Sequence, residues 1–202
     1  MPAPCRFIVS DTHFGHTNIL EYDGRPFSSI EAHDEALIKN WNALVQPHDT
    51  VYHLGDIALF KRAQQSPKTR LATLLRRLQG KIHLVRGNHD HDVDAPGVRE
   101  RFETIENLTI LKLRGEAVAT PGGTLYVSLC HYPMLRWKNS HRPDAWHLFG
   151  HEHGCLRDPR SLSFDCGIML TGWAPMPWEG IVATMKRKIK EGYGPTEHHG
   201  DG

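Results

Sequence analysis

The chain has 202 residues, 39% of them hydrophobic, which is enough for the core of one domain. Its 24 basic and 23 acidic residues give a net charge of +1, so the whole molecule has no general attraction to nucleic acid or to an anionic membrane. It has no apolar run of about 18 residues, no signal-peptide pattern and no CxxC among its four scattered cysteines. We therefore expect a cytoplasmic protein with reduced thiols, no membrane association, one domain over residues 1–192 and a disordered tail at 193–202.

The first half of the chain alternates predicted strands with predicted helices. Apolar runs predict strands at residues 6–10, 50–54 and 81–87. Residues 29–45 place apolar side chains at helical spacing, and Ser66 with Pro67 begins a second helical pattern that ends before Gly80. This β-α-β-α-β order predicts parallel strands with helices on the faces of the sheet.

The second half is mostly β structure followed by one helix. Two β-rich runs are joined at residues 121–123, a Pro-Gly-Gly sequence typical of a hairpin connection. Shorter strands are predicted at 147–149 and 161–166, an exposed loop at 138–146 and a final helix at 177–191.

Polar residues follow the ends of five predicted strands, and five of the fifteen histidines lie among them. These residues are Asp11 and His13, then Asp56, then Asn88 with His89, then His131, and lastly His151 and His153. In α/β sheets ligands bind beyond the carboxyl ends of the strands, so these side chains are expected to converge. Glycines precede several of them, which permits a sharp turn or a close backbone approach.

Such a group of imidazoles and carboxylates is costly to desolvate without a cation. The candidate ligands are too many for one tetrahedral zinc and suit two metals if one carboxylate bridges them. Imidazole, carboxylate and amide ligands favour two divalent transition metal ions such as Mn, Fe, Ni or Zn over calcium or magnesium, and we favour manganese.

The ordered series DxH, GD, GNH, a lone His and GHxH, which spans Asp11 to His153, resembles the calcineurin-like metallophosphoesterase superfamily. Its beginning is similar to the small stand-alone bacterial and phage phosphoesterases of that superfamily. The resemblance implies a four-layer α/β/β/α sandwich with mixed sheets and an active site at the carboxyl ends of the strands. The sequence GDIALF departs from the longer GD motif of the protein Ser/Thr phosphatases, which argues against their substrates.

The resemblance also implies a role for each motif residue. The ligands would be Asp11, His13 and His153 for the first metal, Asn88, His131 and His151 for the second, and Asp56 as the bridge. His89 would not bind metal but would face the scissile phosphate and act in catalysis together with Asp56.

The expected activity is that of a metal-dependent phosphoric ester hydrolase acting by in-line attack of a metal-bound hydroxide. The substrate would be a phosphate ester, more specifically a nucleotide-type phosphodiester. A DNA or RNA nuclease on the same fold is the alternative, with nucleic acid as a possible partner, and a non-catalytic scaffold is disfavoured because no ligand is missing. A metallo-β-lactamase-type hydrolase is excluded, since its HxHxDH signature is absent.

Several polar residues outside the ligand set have two interpretations. His16, Asn18 and Arg136 are candidate substrate-binding residues, although the first two also suit a turn and Arg136 suits an exposed site. Arg25 has the same two interpretations as Arg136. Asp90 is a candidate to orient His89, whereas His53 and His83 lie inside predicted strands and are interpreted as structural.

Overall fold

The computed structural model describes residues 4–61, 66–115, 123–156 and 161–194. Its strands are β1 (Arg6–Val9), β2 (Thr50–His53), β3 (Lys81–Val85), β4 (Phe102–Glu106), β5 (Leu108–Arg114), β6 (Thr124–Cys130), β7 (Ala145–Phe149), β8 (Ser163–Asp165) and β9 (Met176–Pro177). The α-helices are α1 (Ile19–Tyr22), α2 (Ile30–Leu44), α3 (Pro67–Leu75) and α4 (Trp178–Lys190), and a 3-10 turn spans Arg99–Arg101.

The strands form two mixed sheets. The first has the order β4-β3-β2-β1-β9, with β1 to β4 parallel and β9 antiparallel to β1. The second has the order β5-β6-β7-β8, in which only β5 is antiparallel to its neighbour. The predicted parallel arrangement of the first three strands is therefore confirmed.

Alternating side chains of the first sheet are buried on both of its faces. Phe7 and Val9 belong to one core cluster together with apolar residues of α2 and α3. Ile8, between them, belongs to a second cluster that contains residues of the other sheet and of α4, among them Trp146 and Ile181. Burial on both faces explains why β1 is a continuous apolar run, and the layers form the expected α/β/β/α sandwich.

The helix starts follow the capping residues of the sequence. The Ser29 hydroxyl accepts a hydrogen bond from the Ala32 amide at the start of α2, and Ser66 does the same for Thr69 at the start of α3. Helix α3 ends at Leu75, earlier than the predicted end before Gly80, and the remaining residues form a turn that closes at Gly80 with a φ of 90°.

Two sequence expectations in the β region need correction. Strand β4 was not predicted, because its sequence FETIE has only two apolar residues, which do not alternate regularly with polar ones, and it lies at the edge of the first sheet. The segment 138–146 is not an exposed loop throughout: Ala145 and Trp146 are fully buried in β7, where they pair with Tyr126 and Val127.

Other expectations are confirmed or lie outside the described residues. Strands β5 and β6 pair antiparallel from Leu108↔Cys130 to Arg114↔Thr124, as a hairpin requires, although most of the predicted connection at 121–123 is not described. The tail predicted at 193–202 is described only for its first two residues. All four cysteines are free, and no helix in the described part of the chain is long and apolar enough to cross a membrane.

His53 is a fully buried histidine on β2, as its interpretation as a structural residue requires. Its Nε2 lies 2.9 Å from Thr12 Oγ1, which itself donates to the Ile57 carbonyl, so Nε2–H of His53 is the donor of this pair. Its ring stacks on Trp41, and Nδ1 has no hydrogen-bond partner among the described residues. Burial lowers the pKa of His53 from 6.5 to about 3.

We predict that His53 contributes to loss of stability in acid. Between pH 6.5 and about 3 the unfolded chain holds a proton on this residue that the folded chain lacks, so the free energy of unfolding falls as the pH falls. One such proton is worth about 1.4 kcal/mol per pH unit. The variant His53→Gln should flatten the pH dependence measured by urea unfolding between pH 6.5 and 4.5. His48→Gln, at a partly exposed histidine, is the control. Equal slopes for His53→Gln and the wild-type chain would contradict the prediction.

Candidate metal centre

The polar loops after β1, β2, β3, β6 and β7 meet at one end of the sandwich. The loop after β1 lies beside the loop after β2 and is joined to it by backbone hydrogen bonds. The amides of Asp11 and His13 donate to the carbonyls of Gly55 and Asp56, respectively. The loops after β6 and β7 are joined in the same way by the Gly150 amide and the His131 carbonyl, 2.9 Å apart. These bonds bring together residues that are up to 140 positions apart in the chain.

The first group of candidate ligands consists of Asp11, His13 and His153, whose donor atoms all lie within 4.8 Å of one another. The Nε2 atoms of His13 and His153 are 3.3 Å apart, and His153 Nε2 is 3.7 Å from Asp11 Oδ1. Asp11 and His13 are almost completely buried, and His153 is partly exposed at the mouth of the cavity.

The second group consists of Asp56, His131 and His151, again within 4.8 Å. His131 Nδ1–H donates to the Leu54 carbonyl at 2.8 Å, which leaves Nε2 as an acceptor directed at the cavity. This Nε2 is 3.6 Å from Asp56 Oδ2 and 3.1 Å from Asn88 Oδ1, so Asn88 belongs to the same group. Asp56 Oδ2 is also 3.5 Å from His13 Nε2 and therefore lies between the two groups.

The charges of the site are characteristic of a cation-binding pocket. Burial raises the pKa of Asp11 from 3.8 to about 7, despite the neighbouring His153 and the His151 amide that oppose this rise. Burial also lowers the pKa of His13 well below 6.5, with His153 as the next cause. The imidazole of His13, kept neutral by burial beside buried carboxylates, is a donor that suits a borderline divalent metal.

The backbone is strained at the candidate ligands themselves. Non-glycine residues rarely adopt positive φ, yet Asp11, His13, Asp56, His151 and His153 have values between 49° and 72°. Of the two uses of glycine expected from the sequence, close approach applies at Gly87, where a Cβ would lie 2.1 Å from Asp56 Oδ1. Positive φ applies at Gly55, before Asp56, where φ is 95°.

His89 lies at the side of the cavity next to both groups. Its amide donates to Asp56 Oδ1 at 2.9 Å, and its ring Nε2 is 3.9 Å from Asp56 Oδ2. Its side chain is 33% exposed, compared with 2% for Asp56, so the ring is accessible from the cavity. By distance alone, His89 is also near enough to His13 and Asp56 to complete a third group of donors.

Asp90 does not orient His89 but supports the loops below it. Its carboxylate accepts hydrogen bonds from the amides of Asp56, Ile57 and Gly87 at 3.0, 2.9 and 2.8 Å. Burial raises the pKa of Asp90, and the bonds from these amides oppose that rise. This carboxylate joins the loop that carries Asp56 to the loop that carries Asn88, a role that sequence spacing does not reveal.

The candidate substrate-binding residues lie in different places. His16 is nearly buried and lines the cavity, with Nδ1 3.3 Å from His13 Nδ1. Asn18 is half-buried just beyond it, where it contacts Tyr22 and Lys61. Arg136 is exposed and lines a separate groove after β6.

Sequence reasoning missed Asp23 and misjudged Arg25. Asp23 Oδ2 is 2.8 Å from His153 Nδ1, and Arg25 binds the same carboxylate. Arg25 is buried rather than solvated, because its guanidinium donates to backbone carbonyls of the first metal-ligand loop. A DGR turn gives no signal of such contacts in the sequence.

Comparison with known proteins places this fold and site in a family. A family model described as calcineurin-like phosphoesterase matches residues 7–188, so the chain belongs to the calcineurin-like phosphoesterase family. The resemblance found from the ordered motifs is thereby confirmed. Membership implies a phosphoester hydrolase that depends on metal.

The similar proteins cover most of the chain. Uncharacterized protein MJ1445 of Methanocaldococcus jannaschii is 31% identical over 187 residues, which are 90% of this chain and 91% of that protein. Gene 66 protein of Mycobacterium phage L5 is 29% identical over 78% of this chain and 79% of its own length. A crystal structure of the protein of unknown function AQ665 from Aquifex aeolicus has the same fold, with a TM-score of 0.61, 22% identity and coverage of 94% of this chain and 99% of that one.

We predict that Asp90→Asn destabilises the site although it replaces no candidate ligand. An amide offers one acceptor oxygen where the carboxylate offers two, so at least one buried amide of the loops loses its partner, at a cost of about 1–3 kcal/mol. Urea unfolding of the metal-free chain measures this loss. Asp94→Asn, at an exposed position four residues later, is the control and should change stability by no more than about 1 kcal/mol. Equal stability of the two variants would contradict the prediction.

Proposed function

We propose that this protein is a dinuclear-metal phosphoesterase that hydrolyses phosphodiesters of nucleotide type. The observation that carries the proposal is the position of Asp56 between two groups of donors, 3.5 Å from His13 and 3.6 Å from His131. A carboxylate with one buried imidazole on each side is suited to bridge two cations. The order of the motifs and membership of the family support the same assignment.

The donor chemistry fits two borderline divalent ions. Asp11, His13 and His153 would hold the first, Asn88, His131 and His151 the second, and Asp56 both. The mixture of imidazole, carboxylate and amide oxygen suits Mn, Fe, Ni or Zn, of which we favour Mn. When bound, such ions polarise phosphoryl oxygens and make water acidic enough to act as a nucleophile near neutral pH.

The chain itself positions the ester and supplies a proton. His89 is the accessible imidazole beside the bridging carboxylate. Its backbone amide donates a hydrogen bond to Asp56, which would hold the ring next to the reacting phosphate. In the proposed reaction one water adds to phosphorus as hydroxide and releases its other proton to solvent, and the P–O bond to the leaving group breaks. His89, as imidazolium, gives a proton to the departing oxygen and takes one back from solvent before the next turnover. His16 lines the same cavity and is available as a second hydrogen-bonding group for the phosphate.

The shape of the cavity supports a diester rather than a small monoester. Its volume is about 440 Å³, and Tyr22, 70% exposed, is one of the residues that line it. Tyr132, 46% exposed, lies next to the lining residue His151. Tyr132 packs against His131 and His151, with ring centroids 4.9 and 4.8 Å away. An exposed ring next to the donors offers a stacking surface for a base or an aryl group on the leaving side of the ester.

We predict that Asp56→Asn abolishes phosphodiester hydrolysis. Loss of the bridging carboxylate weakens both metal sites, so turnover of bis(p-nitrophenyl) phosphate with added Mn²⁺ should fall by at least about 100-fold. EDTA should remove the activity of the wild-type protein, and Mn²⁺ should restore it. The exposed Asp94→Asn serves as the control. Full activity of Asp56→Asn would contradict the proposal, and so would an absence of turnover by the wild-type protein loaded with any of these metals.

We predict further that Tyr132 governs preference for aromatic leaving groups. Tyr132→Ala should raise KM for dinucleotides and aryl diesters by about 5–150-fold, because a stacking contact is worth about 1–3 kcal/mol. It should leave KM for dialkyl-type diesters unchanged. The highly exposed Leu135→Ala is the control. Equal KM values for Tyr132→Ala and Leu135→Ala would exclude Tyr132 as a determinant of this preference. The same panel should include single-stranded DNA, since preferential cleavage of long strands would favour the nuclease function.

A further inference from the structure

The two candidate metal sites differ in the group that accepts a hydrogen bond from Nδ1 of one histidine in each site. His131 Nδ1–H donates to a backbone carbonyl, that of Leu54, at 2.8 Å. His153 Nδ1 instead lies 2.8 Å from a carboxylate oxygen, Asp23 Oδ2. In both cases the hydrogen bond leaves Nε2 facing the cavity, but only His153 is supported by a full negative charge.

Asp23 is itself held in place by Arg25. The Nε and Nη2 atoms of Arg25 lie 2.9 and 2.8 Å from Asp23 Oδ2, and the side chain of Arg25 is completely buried. Asp23 and Arg25 flank Gly24, whose φ of 59° closes the turn after α1. A buried pair of this kind has little freedom, so the position of the carboxylate is set by the fold.

The same guanidinium reaches the backbone of the first ligand loop. Arg25 Nη2 donates to the Asp11 carbonyl at 2.9 Å, and Nη1 donates to the Thr12 carbonyl at 3.1 Å. Asp11 has a φ of 57°, a conformation that a non-glycine residue keeps only when its surroundings enforce it. Arg25 therefore connects two of the three donors of the first group, Asp11 through its backbone and His153 through Asp23.

We propose that Asp23, held by Arg25, is a positioning residue for the first metal site. Its carboxylate fixes His153 with the proton on Nδ1 and Nε2 free to bind metal, and it strengthens that nitrogen as a donor. The inference rests on the proposed dinuclear function and adds to it a residue outside the ligand set that controls metal affinity at one of the two sites. Asp23 lies 130 residues before His153 and is not part of the ordered motifs.

The test is calorimetric titration of the metal-free full chain with Mn²⁺. The wild-type protein should bind two ions, and Asp23→Asn should lower the affinity of one of them by about 10–100-fold while the other is unchanged. Asp23→Glu, which keeps a carboxylate, should recover part of the loss. Glu21→Gln, at an exposed acid of the same helical turn, is the matched control and should behave as wild type.

The outcomes separate this inference from the proposed function. Two ions bound with wild-type affinities by Asp23→Asn would overturn the role of Asp23 and leave the dinuclear phosphoesterase intact. A wild-type chain that binds fewer than two ions would instead overturn the dinuclear function, and the role of Asp23 with it. If Asp23→Asn does not fold by circular dichroism, Arg25→Lys decides, because it keeps the charge but loses the fork that holds Asp23. Selective weakening of one ion in that variant supports the inference, and unchanged binding overturns it.

Discussion

The structure depends on the burial of two carboxylates, Asp11 and Asp56, at the carboxyl ends of β1 and β2. Each is only 1% exposed, and each faces imidazole nitrogens rather than a lysine or arginine side chain. A buried carboxylate in such a place is expensive to keep ionised, as the raised pKa of Asp11 indicates. A divalent cation offsets that cost directly, so metal binding and the stability of this end of the fold are coupled.

The site also requires strained backbone conformations at its ligands, and neighbouring residues hold the strained loops in place. Positive φ at Asp11 and Asp56 persists because each loop is tied from behind: Arg25 binds the carbonyl of Asp11, and Asp90 accepts from the amide of Asp56. Both supports are buried side chains that bind peptide groups, and Arg25 also pairs with Asp23. The donors are therefore rigid before any cation arrives, which favours metal binding because little ordering remains to be done.

Much of this centre could be predicted from the sequence, because each candidate ligand follows an apolar strand within a few residues. Hydrophobic runs located β1, β2 and β3, and the rule for strand ends then brought distant side chains together. Strand β4 escaped because FETIE is only half-buried at a sheet edge, and Trp146 was assigned to a loop because polar residues precede it. The supports escaped for a different reason: Arg25 and Asp90 bind backbone groups, which every residue has, so no partner residue type marks them in the sequence.

Different side chains of the cavity would bind metal and select the substrate, which explains why the substrate is harder to infer than metal binding. The floor is occupied by donors whose lone pairs face one another, and those atoms have no capacity left to distinguish one ester from another. Discrimination must therefore come from exposed side chains around the donors, such as Tyr22 and Tyr132. Exposed residues of this kind can change without altering the cost of burying Asp11 and Asp56, so one metal centre is compatible with several phosphate esters on the same fold.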